Sequence, residues 1–443
     1  MKKKFLLVAI LLLTNSVIFA QDLVQSGPMV GYSTMREVLL WVQTTKTAEV
    51  YFEYFEKENP NQRFKTEKYT TQMKYGFVAK LVANKVLPGK KYSYRLFVDG
   101  KEVQRDYPME FQSQTLWQWR TDPPEVSFAI GSCTYVNEER FDRPGKPYGS
   151  DFDIFKSILK KGPDFMLWLG DNTYLREADW NSRTGFLHRY THTRSLPELQ
   201  PLLASTHHYA IWDDHDFGPN NADSSFALKN TASEIFKLFW GNPTYDVIDK
   251  GGITGYFQWA DLDFFLLDNR YYRTSNNNFT GTREMLGKAQ IDWLINALAS
   301  SNAPFKFIAV GGQVLNSEAM YENYATFPKE QKYLLNKIRE ARIEGVIFLD
   351  GDRHHTALSR MQESNDVYPL YDLTCSSLTA GSNNNREKLN VYKLEETLVG
   401  QHNFGILTVS GPRKERVLNI KILDKNGNEL WTKDIKAQDL KYK

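Results

Sequence analysis

Five continuous apolar runs in this chain each end in a burst of polar residues. Val126-Ser127-Phe128-Ala129-Ile130 leads into Gly131-Ser132-Cys133, and Phe165-Met166-Leu167-Trp168-Leu169 into Gly170-Asp171. Tyr209-Ala210-Ile211-Trp212 leads into Asp213-Asp214-His215-Asp216. Phe264-Phe265-Leu266-Leu267 leads into Asp268-Asn269-Arg270, and Val346-Ile347-Phe348-Leu349 into Asp350-Gly351-Asp352-Arg353-His354-His355. Uninterrupted apolar runs of this length mark strands covered on both faces. The segments between them, such as Gln290 to Leu298 and Tyr333 to Ile338, carry helical spacing. Strand and helix in alternation mean an α/β domain. Ligands in such folds sit beyond the carboxyl ends of the strands, so all five bursts can converge on one site.

The flanking regions read as β-structure. Val38–Val42 and Val50–Phe55 are β-branched and aromatic runs. Tyr92, Tyr94, Leu96 and Val98 alternate with Ser93, Arg95, Phe97 and Asp99, and Asp99-Gly100 then predicts a hairpin turn. Leu87-Pro88-Gly89 before that run resembles the strand entry of fibronectin-III-like sandwiches. Residues 21–120 are therefore expected to form an N-terminal β-sandwich with a structural or interaction role. Thr121-Asp122-Pro123-Pro124 reads as the linker to the α/β domain, which spans 121–443. The tail from about residue 403 reads as strands that complete its sheets. Asn276-Asn277-Asn278 and Asn383-Asn384-Asn385 read as loops.

Export is expected from the N-terminus. Lys2, Lys3 and Lys4 precede the apolar run Phe5–Leu13, and Ala20 offers a small residue before Gln21. This pattern predicts a signal peptide over residues 1–20 and a periplasmic or extracellular mature protein. No other stretch approaches the 18 apolar residues of a membrane span. Lys and Arg number 55 against 53 Asp and Glu, a net charge of +2, which argues against specific nucleic-acid binding. Two cysteines, Cys133 and Cys375, exclude a disulfide framework but allow one bridge.

The bursts offer Cys133, Asp171, Tyr174, Asp213, Asp214, His215, Asp216, Asn220, Asn221, Asp268, Arg270, Asp350, Asp352, His354 and His355. Carboxylates gathered at one place repel each other unless cations neutralise them. A thiolate, a phenolate and carboxylates suit a high-charge transition ion, and carboxylates with Asn carbonyls suit Ca2+. His188, His192, His207 and His208 are expected at ordinary helix-surface positions. Cys375 reads as a buried strand residue.

In these motifs the sequence resembles the PhoD-like alkaline phosphatases, within the calcineurin-like metallophosphoesterases. The resemblance runs from the N-terminal sandwich to about residue 360. It rests on Ser132-Cys133, on Gly170-Asp171-Asn172-Thr173-Tyr174, and on Trp212 to Asp216 with Asn220-Asn221. It rests also on Asp268-Asn269-Arg270-Tyr271-Tyr272-Arg273, on Leu286-Gly287 with Gln290, and on Gly351-Asp352-Arg353-His354. Two features depart from the family pattern: Asp216 stands where Glu is commoner, and Phe217-Gly218-Pro219 shifts the paired asparagines.

The resemblance implies an α/β chain with a four-layer αββα metallophosphoesterase domain. It also implies an iron–calcium centre, Fe3+ and Ca2+, that acts on small phosphate esters by attack of hydroxide held at the metals. By motif match, Cys133, Asp171, Tyr174 and Asp352 would hold Fe3+, and Asp171 would bridge toward the Ca2+ side. Asp214, Asn221 and His354 would complete the metal set. His215 would protonate the leaving group, and Arg270 and Asn220 would bind substrate. With Cys133 as a ligand no disulfide forms, and a monomer is expected. Two other readings stay open: an Fe–Zn centre like that of purple acid phosphatases, and a Ca2+-dependent extracellular binding module with a degenerate site.

Overall fold

The computed structural model describes residues 23–248, 251–382 and 389–443. The expected signal peptide and the loop Asn383-Asn384-Asn385 lie outside the described residues. The chain divides into two compact units, one of residues up to Leu116 with Arg194–His208, the other of Trp117–Thr193 with Tyr209–Lys443.

In the first unit, strands Val24–Ser33, Val38–Thr44 and Val78–Ala83 pair in that order. A second sheet orders Arg63–Lys65, Glu49–Glu56, Lys91–Val98 and Lys101–Val103. Tyr92, Tyr94, Leu96 and Val98 are buried while the residues between them are more open, as alternation requires. Val98 pairs with Lys101 across Asp99-Gly100, whose φ values of 48° and 75° suit the tight turn. Side chains of both sheets, among them Leu40, Phe52 and Tyr94, share one apolar core.

The segment Arg194–His208 belongs to this unit although it follows the Gly170-Asp171 motif in sequence. Tyr94 donates to the Ala204 carbonyl at 2.8 Å, and Ser26 to that of Arg194 at 2.7 Å. The expectation for two of the histidines fails here. His207 and His208 are not on a helix surface but in the strand His207–Ile211, 1% and 0% exposed. The ring nitrogens of His207 meet the Gly31 carbonyl and the Gln112 N–H. A histidine whose two nitrogens are satisfied by backbone fits a core as a flat, neutral ring. His188 and His192 do lie on a helix, Arg183–Arg194.

The second unit holds two six-membered strand arrays. One orders Glu429–Lys436, Val417–Asp424, Asn403–Ser410, Val126–Gly131, Phe165–Leu169 and the strand ending at Ile211. The tail thus completes this array rather than forming a third unit. The other orders Gly255–Trp259, Leu262–Leu266, Lys306–Ala309, Val346–Asp350, Leu370–Thr374 and Ala357–Met361. Phe128 meets Phe264 and Phe307 edge-on at 5.3 Å each, so the arrays face one another. Alternation sends Trp168 and Phe265 the other way, onto Phe155 of helix Asp153–Lys161 and Trp293 of helix Lys288–Ser300. Helices therefore cover the outer faces, which is why the strand runs carry apolar side chains on both faces.

Candidate active site

All five polar bursts sit at the carboxyl ends of these strands, and backbone bonds tie them together. Cys133 N–H donates to Gly170 O at 3.2 Å and Thr134 N–H to Asp171 O at 2.8 Å. Gly351 N–H reaches Gly311 O at 3.2 Å, and Cys375 N–H reaches Asp350 O at 2.9 Å. Cys133, Asp171, Asn221, Asp352 and His354 all have φ between 51° and 63°. That left-handed conformation costs an ordinary residue roughly 1–2 kcal/mol and persists where the surroundings enforce it. At the strand ends it turns the side chains of Cys133, Asp171 and His354 toward one another. Gly170 is needed between them: a Cβ there would lie 2.9 Å from that of Asp213.

Cys133, Asp171 and His354 bring ligand atoms within 4.8 Å of one another. The Asp171 Oδ2 lies 3.7 Å from the Cys133 sulfur and accepts from the Tyr174 hydroxyl at 3.1 Å. Tyr174 OH is also 3.2 Å from His354 Nε2. His354 Nδ1 lies 2.5 Å from the Gly381 carbonyl, which can only accept. The proton therefore sits on Nδ1, and the Nε2 lone pair faces Cys133, Asp171 and Tyr174, the orientation of a metal-ligating imidazole. His355 instead turns its Nδ1 to the Arg353 carbonyl at 3.0 Å. Cys133 and Cys375 are both free thiols, so no disulfide forms.

Asp171 also belongs to a second group, with Asp214 and His215, and Asp214 to a third, with Asp213 and Asp352. Asp171 thus stands between the thiol-containing group and the carboxylate group. Asp352 is grouped with the carboxylates, and its charge also reaches Cys133, whose thiol it helps to raise. His215 stacks on Tyr174 at 4.3 Å, and its backbone N–H donates to Asp171 Oδ1 at 3.2 Å. Asp216 is turned away from these groups. Its Oδ2 accepts from the Asp213 and Asn172 N–H groups at 3.1 and 3.2 Å and fixes the loop.

Arg270 is no surface ion pair; it is 1% exposed. Its Nε donates to Asp213 Oδ1 at 2.5 Å and its Nη1 to Glu322 Oε2 at 3.1 Å, while Nη2 lies 3.9 Å from Asp214 Oδ1. Asn220 and Asn221 are exposed. Asn221 reaches the cluster through its backbone N–H, 2.7 Å from Asp214 Oδ2, while its side-chain oxygen accepts from Asn220 at 2.8 Å.

Sequence reasoning missed several supports. Glu322 holds both Arg270 and Arg273. Asn269 donates to Asp213 Oδ1 at 2.7 Å. Gly311 passes so close to Asp213 that a Cβ would lie 2.7 Å from its carboxyl carbon. Glu322 and Gly311 carry no local signal, and Asn269 reads only as a motif position. Gln290, read only as part of a motif, uses both ends of its amide. It accepts from Asp268 N–H and Thr254 OH and donates to the Asp268 and Leu286 carbonyls, all at 2.8 Å. Asp268 in turn accepts from Trp212, Ile253, Arg270 and Tyr271. It is an anchor for the Arg270 loop rather than a ligand.

The electrostatics call for cations. Burial raises Asp171 well above the usual carboxylate range, and Asp214, Cys133, Asp213 and Asp216 add to the rise. Burial pushes Cys133 up to about 12 and raises Tyr174. Asp352 rises to about 7 through burial, opposed by Arg353 and helped by Asp213, Asp214 and Glu322. Burial also opposes ionisation of Asp214, yet His215 and Arg270 outweigh it and hold this carboxyl low. Asp213 Oδ2 and Asp214 Oδ1 are buried and accept no hydrogen bond. Buried carboxylate oxygens without donors beside a thiol, a phenol and an imidazole lone pair fit metal ions, which would reverse these shifts.

Paired strand arrays with a buried carboxylate, thiol, phenol and imidazole set at their carboxyl ends form a candidate metal centre where α/β folds bind their ligands. The chain belongs to the PhoD-like phosphatase family, whose profile matches residues 128–407. Residues 21–116 match a domain of unknown function, which leaves the fibronectin-type expectation without support from kinship. Alkaline phosphatase D of Bacillus subtilis (strain 168) is 23% identical over 351 residues, 67% of this chain and 57% of that protein. Acid sphingomyelinase-like phosphodiesterase 3b of Mus musculus is 25% identical over 268 residues, 56% of each. The chain thus spans just over half the length of these curated relatives. A solved structure of PhoD superposes with a TM-score of 0.75 at 17% identity, covering 94% of this chain and 92% of that one. A purple acid phosphatase from yellow lupin (Lupinus luteus) seeds gives 0.68 at 12% identity, covering 94% and 76%. These two likenesses show the fold.

Proposed function

We propose that this protein is an exported phosphatase or phosphodiesterase that hydrolyses small phosphate esters at an iron–calcium centre. The observation that carries the reading is Asp171, shared between the Cys133–His354 group and the Asp214–His215 group. Fe3+ would be held by Cys133, Asp171, Tyr174 and Asp352, with His354. Ca2+ would be held by Asp171 and Asp214, with Asn221 at the rim. Bound there, the cations supply positive charge for the phosphoryl oxygens and lower the pKa of a coordinated water.

The protein's own groups do the rest. Arg270, clamped by Asp213 and Glu322, offers a guanidinium fixed in direction before substrate arrives. Asn220 lends an exposed amide to the substrate. Burial of the carboxylates excludes water and strengthens every charge interaction inside. His215 donates a proton to the leaving alkoxide oxygen. A second reading makes His215 a metal ligand, and its place within 4.8 Å of Asp171 and Asp214 favours that alternative. The N-terminal sandwich, resembling a fibronectin-III-like module by its Leu87-Pro88-Gly89 entry, serves as a structural or interaction domain.

Metal analysis combined with turnover of p-nitrophenyl phosphate and bis-p-nitrophenyl phosphate tests this. Iron and calcium should copurify, and Asp171→Asn should lose metal and activity together, since a neutral amide cannot balance two cations. Full turnover by metal-free protein would overturn the proposal. Zinc in place of calcium would favour the purple-phosphatase-like centre.

A further inference from the structure

Glu322, which holds Arg270 and Arg273, stands in a turn of unusual composition. The Asn323 N–H donates to the Met320 carbonyl at 3.1 Å and closes the turn. Its two central residues, Tyr321 and Glu322, both have positive φ, 44° and 65°. Turns of that hand are dominated by Gly, Asn and Asp, because a larger side chain is strained there by about 1–2 kcal/mol per residue. The loop is tied to hold this shape. Asn323, 1% exposed, donates from its side chain to the Glu318 carbonyl at 2.7 Å and accepts from the Met320 N–H at 3.3 Å.

The clamp on the two arginines accounts for Glu322 at its strained place. Tyr321 has no part in that clamp. Its phenol ring is 59% exposed, so it buries little apolar area. A strained residue that folding does not require points to a ligand contact. The ring packs on Arg353, whose guanidinium carbon lies 4.5 Å from its centroid. Arg353 is itself buried, and its Nη1 lies 3.8 Å from Asp352 Oδ2.

The carboxylate group opens to solvent at the same place. The side chains of Asp213 and Asp214 are 0% and 5% exposed, and that of Asp352 is 26% exposed. Substrate therefore reaches this group of three past Asp352. Arg353 links the open carboxylate to the exposed ring, so the ring stands at the entrance.

The geometry points to Tyr321 as the residue that selects the alcohol portion of the ester. With the phosphoryl group at Arg270 and the carboxylates, the alcohol portion lies at the entrance, over the phenol ring. The face of that ring offers hydroxyl groups no hydrogen-bond partner in its plane, whereas a second flat ring stacks on it. The guanidinium on its other side holds it in place by cation–π contact. Aryl phosphates are thus preferred over alkyl phosphates. This inference rests on the esterase reading above.

The test uses phenylphosphonate and propylphosphonate, whose C–P bonds are not hydrolysed, titrated calorimetrically into the metal-loaded full chain. Turnover of phenyl phosphate and propyl phosphate is followed beside them. The phenyl compound should bind about tenfold more tightly than the propyl one. Tyr321→Leu should reduce that preference to about twofold or less, and Tyr321→Phe should retain it, with the ratio of the two esters' KM values following. Both replacements keep an unbranched Cβ at a surface position, so folding is not at risk. A wild-type protein without the preference would overturn the inference, as would a preference that survives Tyr321→Leu. Equal weakening of both phosphonates would overturn it too, since Tyr321 would then only support Arg353. A Tyr321-dependent preference in a protein that turns over neither ester would instead sink the esterase reading and leave the ring contact standing.

Discussion

Gln290→Met is the sharpest test of how this fold holds its chemistry. The replacement keeps the side chain's length and near-equal volume but removes both ends of the amide. Four hydrogen bonds of 2.8 Å disappear from a residue that is 1% exposed. At about 1 kcal/mol each they amount to about 4 kcal/mol, and the buried Asp268 N–H left without an acceptor alone costs about 1–3 kcal/mol of that. The loss is also directional. Asp268 fixes the Arg270 and Tyr271 backbone, so its movement swings the guanidinium away from Asp213. Misplacement on the order of 1 Å lowers kcat/KM about 10–100-fold. Urea unfolding followed by tryptophan fluorescence reads the stability, and ester turnover in the still-folded variant reads the geometry. A stability loss below about 1 kcal/mol at unchanged slope, with turnover intact, would show that Gln290 does not support the loop.

Three further outcomes are expected. Burial lowers His208 from 6.5 to about 3, so the unfolded chain binds a proton between those values that the folded chain refuses. Stability is therefore full above about pH 6.5 and falls as pH drops, and His208→Leu should flatten that fall by about 1.4 kcal/mol per pH unit in urea melts at pH 4–6; an unchanged slope would contradict a neutral buried ring. If His215 is the proton donor, His215→Ala should lower kcat about 10²–10⁴-fold on an alkyl phosphate and less on a nitrophenyl one; equal slowing, or loss of metal, would make it a ligand. Ferric iron bound by Tyr174 and Cys133 should colour the holoprotein, with Tyr174→Phe shifting or bleaching the visible band; active, colourless, iron-free protein would refute that assignment.

Much of the architecture was legible in local pattern. Strands such as Phe165–Leu169 and Val346–Asp350 are buried at every position, and strands of that kind end at the ligand-binding edge of an α/β fold. The Tyr92–Val98 alternation likewise identified a strand with one buried face. These signals are readable because periodicity reports burial, and burial is what the strand contributes. Tertiary structure decided the rest. His207 and His208 look like any polar pair in sequence, and only their strand partners make them core residues. Glu322 lies in a loop with no motif of its own, yet it faces Arg270 because distant strands bring it there. Asp352 is grouped with Asp213 and Asp214, and His354 with Cys133 and Asp171, because strands far apart in sequence bring these loops together. Residue type and spacing named the candidate positions; which of them meet depends on the path of the chain between strands, which no local pattern encodes.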